Sequence, residues 1–99
     1  MAFQVFFHPQ AETEYIEAIK WYEERLPGLG MKFENAVEKQ IKLIACKPHH
    51  YQKKKAAFRE AKTEKFPYII VFKVYEKVNT ILIAAVFHTS RNPKKKYRK

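Results

Sequence analysis

One cysteine, two glycines and no long apolar run are the first constraints on this chain of 99 residues. A lone thiol, Cys46, excludes an internal disulfide and a thiolate metal cluster within one chain. Its place near the end of an apolar helical stripe predicts a small buried hydrophobe, not a nucleophile. No apolar run approaches the ~20 residues that span a membrane, and Met1-Ala2-Phe3 lacks the basic start of a signal peptide, so a cytosolic protein is expected. Acidic residues are scarce in the second half. Residues 47–99 hold three Glu against fifteen Lys/Arg, whereas residues 1–46 hold seven Glu against five, so the halves carry +12 and −2. An evenly mixed surface would only keep a protein in solution. A one-sided excess points to a polyanion, either nucleic acid or an acidic protein.

What is present argues for a folded domain. Apolar residues make up 46% and aromatics 15% of the chain, enough for one modest core and a single domain over residues 1–99. The clearest fold signal lies in residues 66–93, FPYIIVFKVYEKVNTILIAAVFHTSRNP. Two runs, 68–75 and 80–87, are rich in β-branched and aromatic residues and are separated by Glu76-Lys77-Val78-Asn79, which predicts a β-hairpin. Strand alternation puts Tyr68, Ile70, Phe72 and Val74 on one face and Ile69, Val71, Lys73 and Tyr75 on the other. Both faces are largely apolar, so these are expected to be central strands.

Ahead of the hairpin, residues 3–7 suit a short strand, closed by His8-Pro9. Pro9 at a first helical position, with Glu12 and Glu14 complementing the helix dipole, opens a helix expected to run to about Leu26. Ala11, Tyr15, Ala18, Ile19, Tyr22 and Leu26 form its buried stripe, with Glu17 largely off it, and Trp21 lies beside the stripe, where it could anchor a partner. Gly28 and Gly30 suit a tight reversal through their tolerance of positive φ. A second helix follows, with Phe33, Ala36, Val37, Ile41, Ile44 and Ala45 on its stripe, and Pro48 ends it. A polar connection at 48–55 leads to a third, edge strand at 56–61, on which Arg59 projects opposite Phe58. The expected class is α+β, in the order β-α-α-β-β-β, with a helical hairpin on one face of a mainly antiparallel four-stranded sheet.

Chemistry gathers where the last strand runs out into His88-Thr89-Ser90-Arg91. His88 titrates near neutrality when unperturbed, so it can give or take a proton. A strand-end histidine hydrogen-bonded to backbone is an equally good reading of the same position. His49-His50 without a further ligand pair is weak as a metal site. The basic tail from about residue 94, KKKYRK, reads first as a solvated terminus.

Trp21-Tyr22-Glu23, Gly28-Leu29-Gly30 with Phe33, Phe66-Pro67-Tyr68, and the run from Ala85 to Pro93 together resemble the RelE/ParE superfamily of toxins from bacterial type II toxin–antitoxin modules. The resemblance covers nearly the whole chain. It implies a cognate antitoxin partner, no cofactor and no metal, and one of two mechanisms. RelE-like toxins cut mRNA on the ribosome by letting the RNA 2′-hydroxyl attack the adjacent phosphate, which needs a base, an acid and positive charge on the phosphate. On that reading the catalytic set is His88, Arg59, Arg91 and Tyr97, with Lys53, Lys54, Lys55, Lys94 and Lys95 holding RNA. ParE-like toxins block DNA gyrase as binders without hydrolysis. A histidine after the last strand occurs in both branches, and the chain lacks a compact RelE-like ending of arginine and tyrosine. The basic excess beside the strand end favours RNA cleavage. A non-toxic nucleic-acid-binding module is the third reading.

Overall fold

The computed structural model describes residues 2–90 of the chain. Arg91, Lys94, Lys95 and Tyr97 therefore lie outside the described residues. A first strand, β1 (Gln4–Phe7), leads into α1 (Pro9–Arg25) and α2 (Leu29–Cys46). Four strands follow: β2 (Lys53–Lys55), β3 (Phe58–Lys62), β4 (Tyr68–Tyr75) and β5 (Thr80–His88). The sheet order is β1-β5-β4-β3-β2, antiparallel throughout except that β1 runs parallel to β5. The α+β layering matches the expectation, and β4 and β5 are interior strands, as their two apolar faces require.

The strand count is five instead of four. Lys53–Lys55 pairs with β3 across a register shift, with Lys53 opposite Arg59 and Lys55 opposite Phe58. Three consecutive lysines carry no apolar alternation, so the sequence pattern passes over them. An edge strand needs only its backbone to pair, and exposed lysines protect such an edge from further pairing. β3 also starts two residues later than expected, because Ala56 takes up positive φ (51°) in the turn between the strands.

α1 begins at Pro9, and the His8 side chain caps it by accepting from the Gln10 N–H at 3.1 Å. Ala11, Tyr15, Ala18 and Tyr22 are buried as predicted, whereas Leu26, 56% exposed, lies beyond the last helical turn in extended backbone. Of the two glycines only Gly28 uses positive φ, at 90°. Gly30 sits inside α2 for another reason. A Cβ there would lie 2.7 Å from the Ile19 carbonyl oxygen, so the glycine lets the two helices touch. Glu23 accepts from the N–H groups of Gly28 and Gly30 at 3.0 and 3.1 Å, capping the unpaired donors at the start of α2. On α2, Phe33, Val37, Ile41 and Ile44 are buried. Cys46 is exposed, contrary to expectation. Two residues past Ile44 on a helix, it has turned away from the buried stripe.

The helix face of the sheet holds the larger core, centred on Phe33 packed edge-on against Phe66 and Tyr68 with ring centroids 5.2 and 4.9 Å away. Removing so large a buried ring would cost about 3–5 kcal/mol. A smaller cluster, Phe58, Val71, Ala84, Ala85 and Phe87, occupies the opposite face. Adjacent Ala84 and Ala85 both belong to it because the β4–β5 register shifts between Val71 and Phe72, where β5 carries one extra residue. That bulge keeps Val86 on the helix side.

Candidate functional site

β1 accompanies β5 only as far as the pair Phe7 and Ile83. Beyond it the outer edge of β5 faces α1, and Glu14 fills part of the gap: its Oε1 accepts from the Val86 N–H at 3.0 Å. The sequence assigned Glu14 to the helix dipole; it caps a strand edge instead. Glu14, Glu17 and Trp21 follow one another at helical spacing along the margin of the buried stripe of α1. With Tyr22, Tyr68, His88 and Ser90 they line a cleft of about 460 Å³ at the end of β5.

His88 is half-buried here, opposite Tyr68 in the β4–β5 register and edge-on to its ring at 5.1 Å. The Ser90 N–H donates to His88 Nδ1 at 3.1 Å, and Ser90 Oγ lies 2.7 Å from the same atom. Thr89 N–H donates to the Pro67 carbonyl at 2.9 Å, closing the turn against the start of β4. His88 thus makes the backbone hydrogen bond that its strand-end position allowed. Its surroundings among the described residues are two carboxylates and three aromatic rings. Carboxylates beside aromatic faces suit a cation better than a phosphate.

Arg59 lies elsewhere. It pairs with Phe72, whereas His88 pairs with Tyr68, so the two are four residues apart along β4, or about 13 Å, and two strand spacings apart across the sheet. The Arg59 guanidinium donates to the Tyr51 carbonyl at 2.6 Å, and Tyr51 in turn packs edge-on against Phe72. Nearby, Glu64 pairs with Lys39 at 3.4 Å. Lys53, Lys54 and Lys55 are exposed on β2, beside Arg59 and away from His88. His49 pairs with Glu76, and no group of three or more His, Cys, Asp or Glu among the described residues could hold a metal ion. Trp21, in the cleft lining, is 49% exposed and carries the Arg25 guanidinium 4.4 Å from its ring centroid. Glu14 and Glu17 were missed as site residues, although their spacing to Trp21 was the available signal.

Residues 5–93 match the family described as the ParE toxin of the type II toxin–antitoxin system parDE. The chain belongs to the ParE toxin family. As a ParE-family member it is a toxin of a type II toxin–antitoxin system. Among solved structures it is similar to a chain of the chromosomal ParDE toxin–antitoxin system from P. aeruginosa, with a TM-score of 0.77 and 14% identity over 90% of this chain and 98% of that one. It is also similar to a chain of the RelBE2 toxin–antitoxin complex from Mycobacterium tuberculosis, with a TM-score of 0.62 and 16% identity over 89% and 99%. At these identities the likeness shows a common fold. No curated protein matches the sequence. No helix among the described residues is long and apolar enough to cross a membrane.

Proposed function

We propose that this ParE-family toxin inhibits DNA gyrase in the cytoplasm by binding it, without hydrolytic chemistry, and that a cognate antitoxin silences it. One observation carries the reading: the environment of His88. Cleaving RNA through its 2′-hydroxyl requires positive charge where the phosphate gains negative charge. Among the described residues the charged groups that line the cleft at the end of β5 are Glu14 and Glu17, Arg25 is drawn onto the Trp21 ring, and Arg59 and the β2 lysines stand about 13 Å or more away. The His88 Nδ1 is engaged by its own turn. Membership of the ParE family supports the same reading. An acidic antitoxin segment that folds on binding suits the +12 excess of residues 47–99.

Ribosome-dependent mRNA cleavage is the second reading, favoured by that same basic excess and by a histidine at a cleft. Purified protein is to be assayed for plasmid supercoiling by gyrase and, in parallel, for mRNA cleavage during translation with mapped 5′ ends. Gyrase inhibition with intact mRNA is the expected result. Cleaved mRNA with unimpaired supercoiling would reverse the order of the two readings. Growth arrest on expression alone, relieved by co-expression of a cognate antitoxin, tests the partner. Unarrested growth with abundant folded protein counts against toxicity.

A further inference from the structure

We propose that the cleft between α2 and the turn joining β3 to β4 is a docking groove for an acidic amphipathic helix of a partner protein. It is separate from the cleft at the end of β5, which α1 lines, and its use does not depend on whether the toxin acts on gyrase or on the ribosome.

Helical spacing builds one wall. Leu29, Lys32, Ala36 and Lys39 recur at intervals of three and four residues, so they form a ridge of α2 beside the buried stripe of Phe33 and Val37. Lys65 and Phe66 of the β3–β4 turn lie opposite, and the space between is about 540 Å³. From Leu29 to Lys39 the ridge is about 15 Å long, which matches ten residues of a second helix. The floor is apolar and preformed. Leu29 and Phe66 pack on the core, and Phe66 is held edge-on by Tyr22 and Phe33 at 5.0 and 5.2 Å. Ala36, on the same ridge, presents only a methyl group, which lets another backbone come close.

The rim decides the kind of occupant. Three lysines and one glutamate stand around the floor. Lys39 engages that glutamate, Glu64, at 3.4 Å from one wall to the other, and among the described residues Lys32 and Lys65 have no acidic partner. Both members of the Lys39–Glu64 pair are exposed, so the pair is weak and an incoming carboxylate can take the place of Glu64. An apolar floor under a lysine rim complements a ligand that is apolar on one face and acidic on its flanks. A phosphate backbone would match the rim and leave the floor unfilled. A strand finds no partner here, because α2 bonds its own amides and Thr63 already donates to the turn carbonyls of Phe66 and Tyr68. A helix satisfies its own backbone and needs only the groove.

A designed peptide tests the groove: about fifteen residues, the length at which an isolated helix begins to hold in water, with leucines on one face and glutamates on both flanks. Titrated into isotope-labelled full-length protein, it should shift the Ala36 and Phe66 amide resonances. Its dissociation constant should rise about tenfold or more when Lys32→Glu and Lys65→Glu reverse two rim charges together. Ala36→Arg adds a cation yet fills the floor, so it should weaken binding as well. All three side chains are at least partly exposed, and both variants should melt as wild type does. The proposal is overturned if the shifts miss the groove, if a peptide with lysines in place of its glutamates binds as well, or if Ala36→Arg binds more tightly. It is equally overturned if a single-stranded oligonucleotide of equal charge shifts the same resonances at lower concentration, which would make the ligand a nucleic acid.

Discussion

Glu14 on α1 holds Val86 on β5: the carboxylate Oε1 accepts the strand's N–H at 3.0 Å, across 72 residues of sequence. Val86 is fully buried and β1 has already ended, so among the described residues no neighbouring strand offers that donor an acceptor. Glu14→Ala should destabilise the fold by about 1–3 kcal/mol, the cost of leaving such a donor unmet. Glu14→Gln retains an oxygen and should lose less. Denaturant midpoints of the three proteins check this, and equal losses for both variants would mean that Glu14 acts through its charge alone.

Gly30 gives a second stability prediction. Its added Cβ would meet backbone, the Ile19 carbonyl at 2.7 Å, which cannot swing aside as a side chain would. Gly30→Ala should therefore force the helices apart at a cost of about 1–3 kcal/mol. Gly28→Ala has open space but a strained φ, and should cost about 1–2 kcal/mol. Glycine-to-alanine exchange normally stabilises a helix, so a raised melting temperature for Gly30→Ala would refute the close-approach account.

Alkaline pH should unfold the protein through its phenols. Burial raises the Tyr15, Tyr22 and Tyr51 hydroxyls above the ordinary value of 10.0, and at Tyr15 the hydrogen bond to Glu38 raises it further. A group harder to ionise in the folded state contributes stability that is complete below its unfolded value. That stability is lost as pH rises through the folded one. Stability should hold to about pH 10 and then fall. Phenolate absorbance rising together with loss of the circular dichroism signal is the expected signature. Tyr15→Phe removes one such group, along with its 2.9 Å bond to Glu38, and should flatten the decline.

His88→Ala separates the two mechanisms. If the protein is a gyrase binder, the substitution should change inhibition modestly, by removing a contact and loosening the Ser90 turn. A general acid or base lost from an mRNA-cleaving site would instead lower the rate by ~10²–10⁴-fold. Supercoiling and translation assays on wild type and variant provide the comparison.

Arg59→Ala removes the donor that holds the Tyr51 carbonyl at 2.6 Å, so it should cost stability of about 1–3 kcal/mol as well as any binding role. Thermal melts run beside toxicity assays distinguish them. Loss of toxicity in a variant that melts like wild type assigns Arg59 to the target surface.

Much of the layered architecture was legible because periodicity reports burial directly. The stripes Tyr15, Ala18, Tyr22 and Phe33, Val37, Ile41, and the alternation from Tyr68 to Val74, each name the face that the structure buries. β2 was not legible, since its strand character lies in backbone pairing and its side chains are all lysine. The site was harder for a related reason. Arg59 and His88 were grouped by their chemistry, but register separates them, and register depends on pairing between segments distant in sequence. Glu14 illustrates the same limit, because its acceptor role exists only once α1 lies across the edge of β5.

The parallel pairing of β1 with β5 also has a bearing on when the toxin comes into being. Gln4 finds its partner in Thr80, 76 residues later, and the cleft waits for Ser90. Synthesis proceeds from the N-terminus, so the first strand emerges with nothing to pair with until nearly all of the chain has been made. Contacts of such separation also form slowly. A nascent or truncated chain thus lacks both the complete sheet and the finished strand end, and a cell that makes this protein has an interval in which the product is not yet assembled.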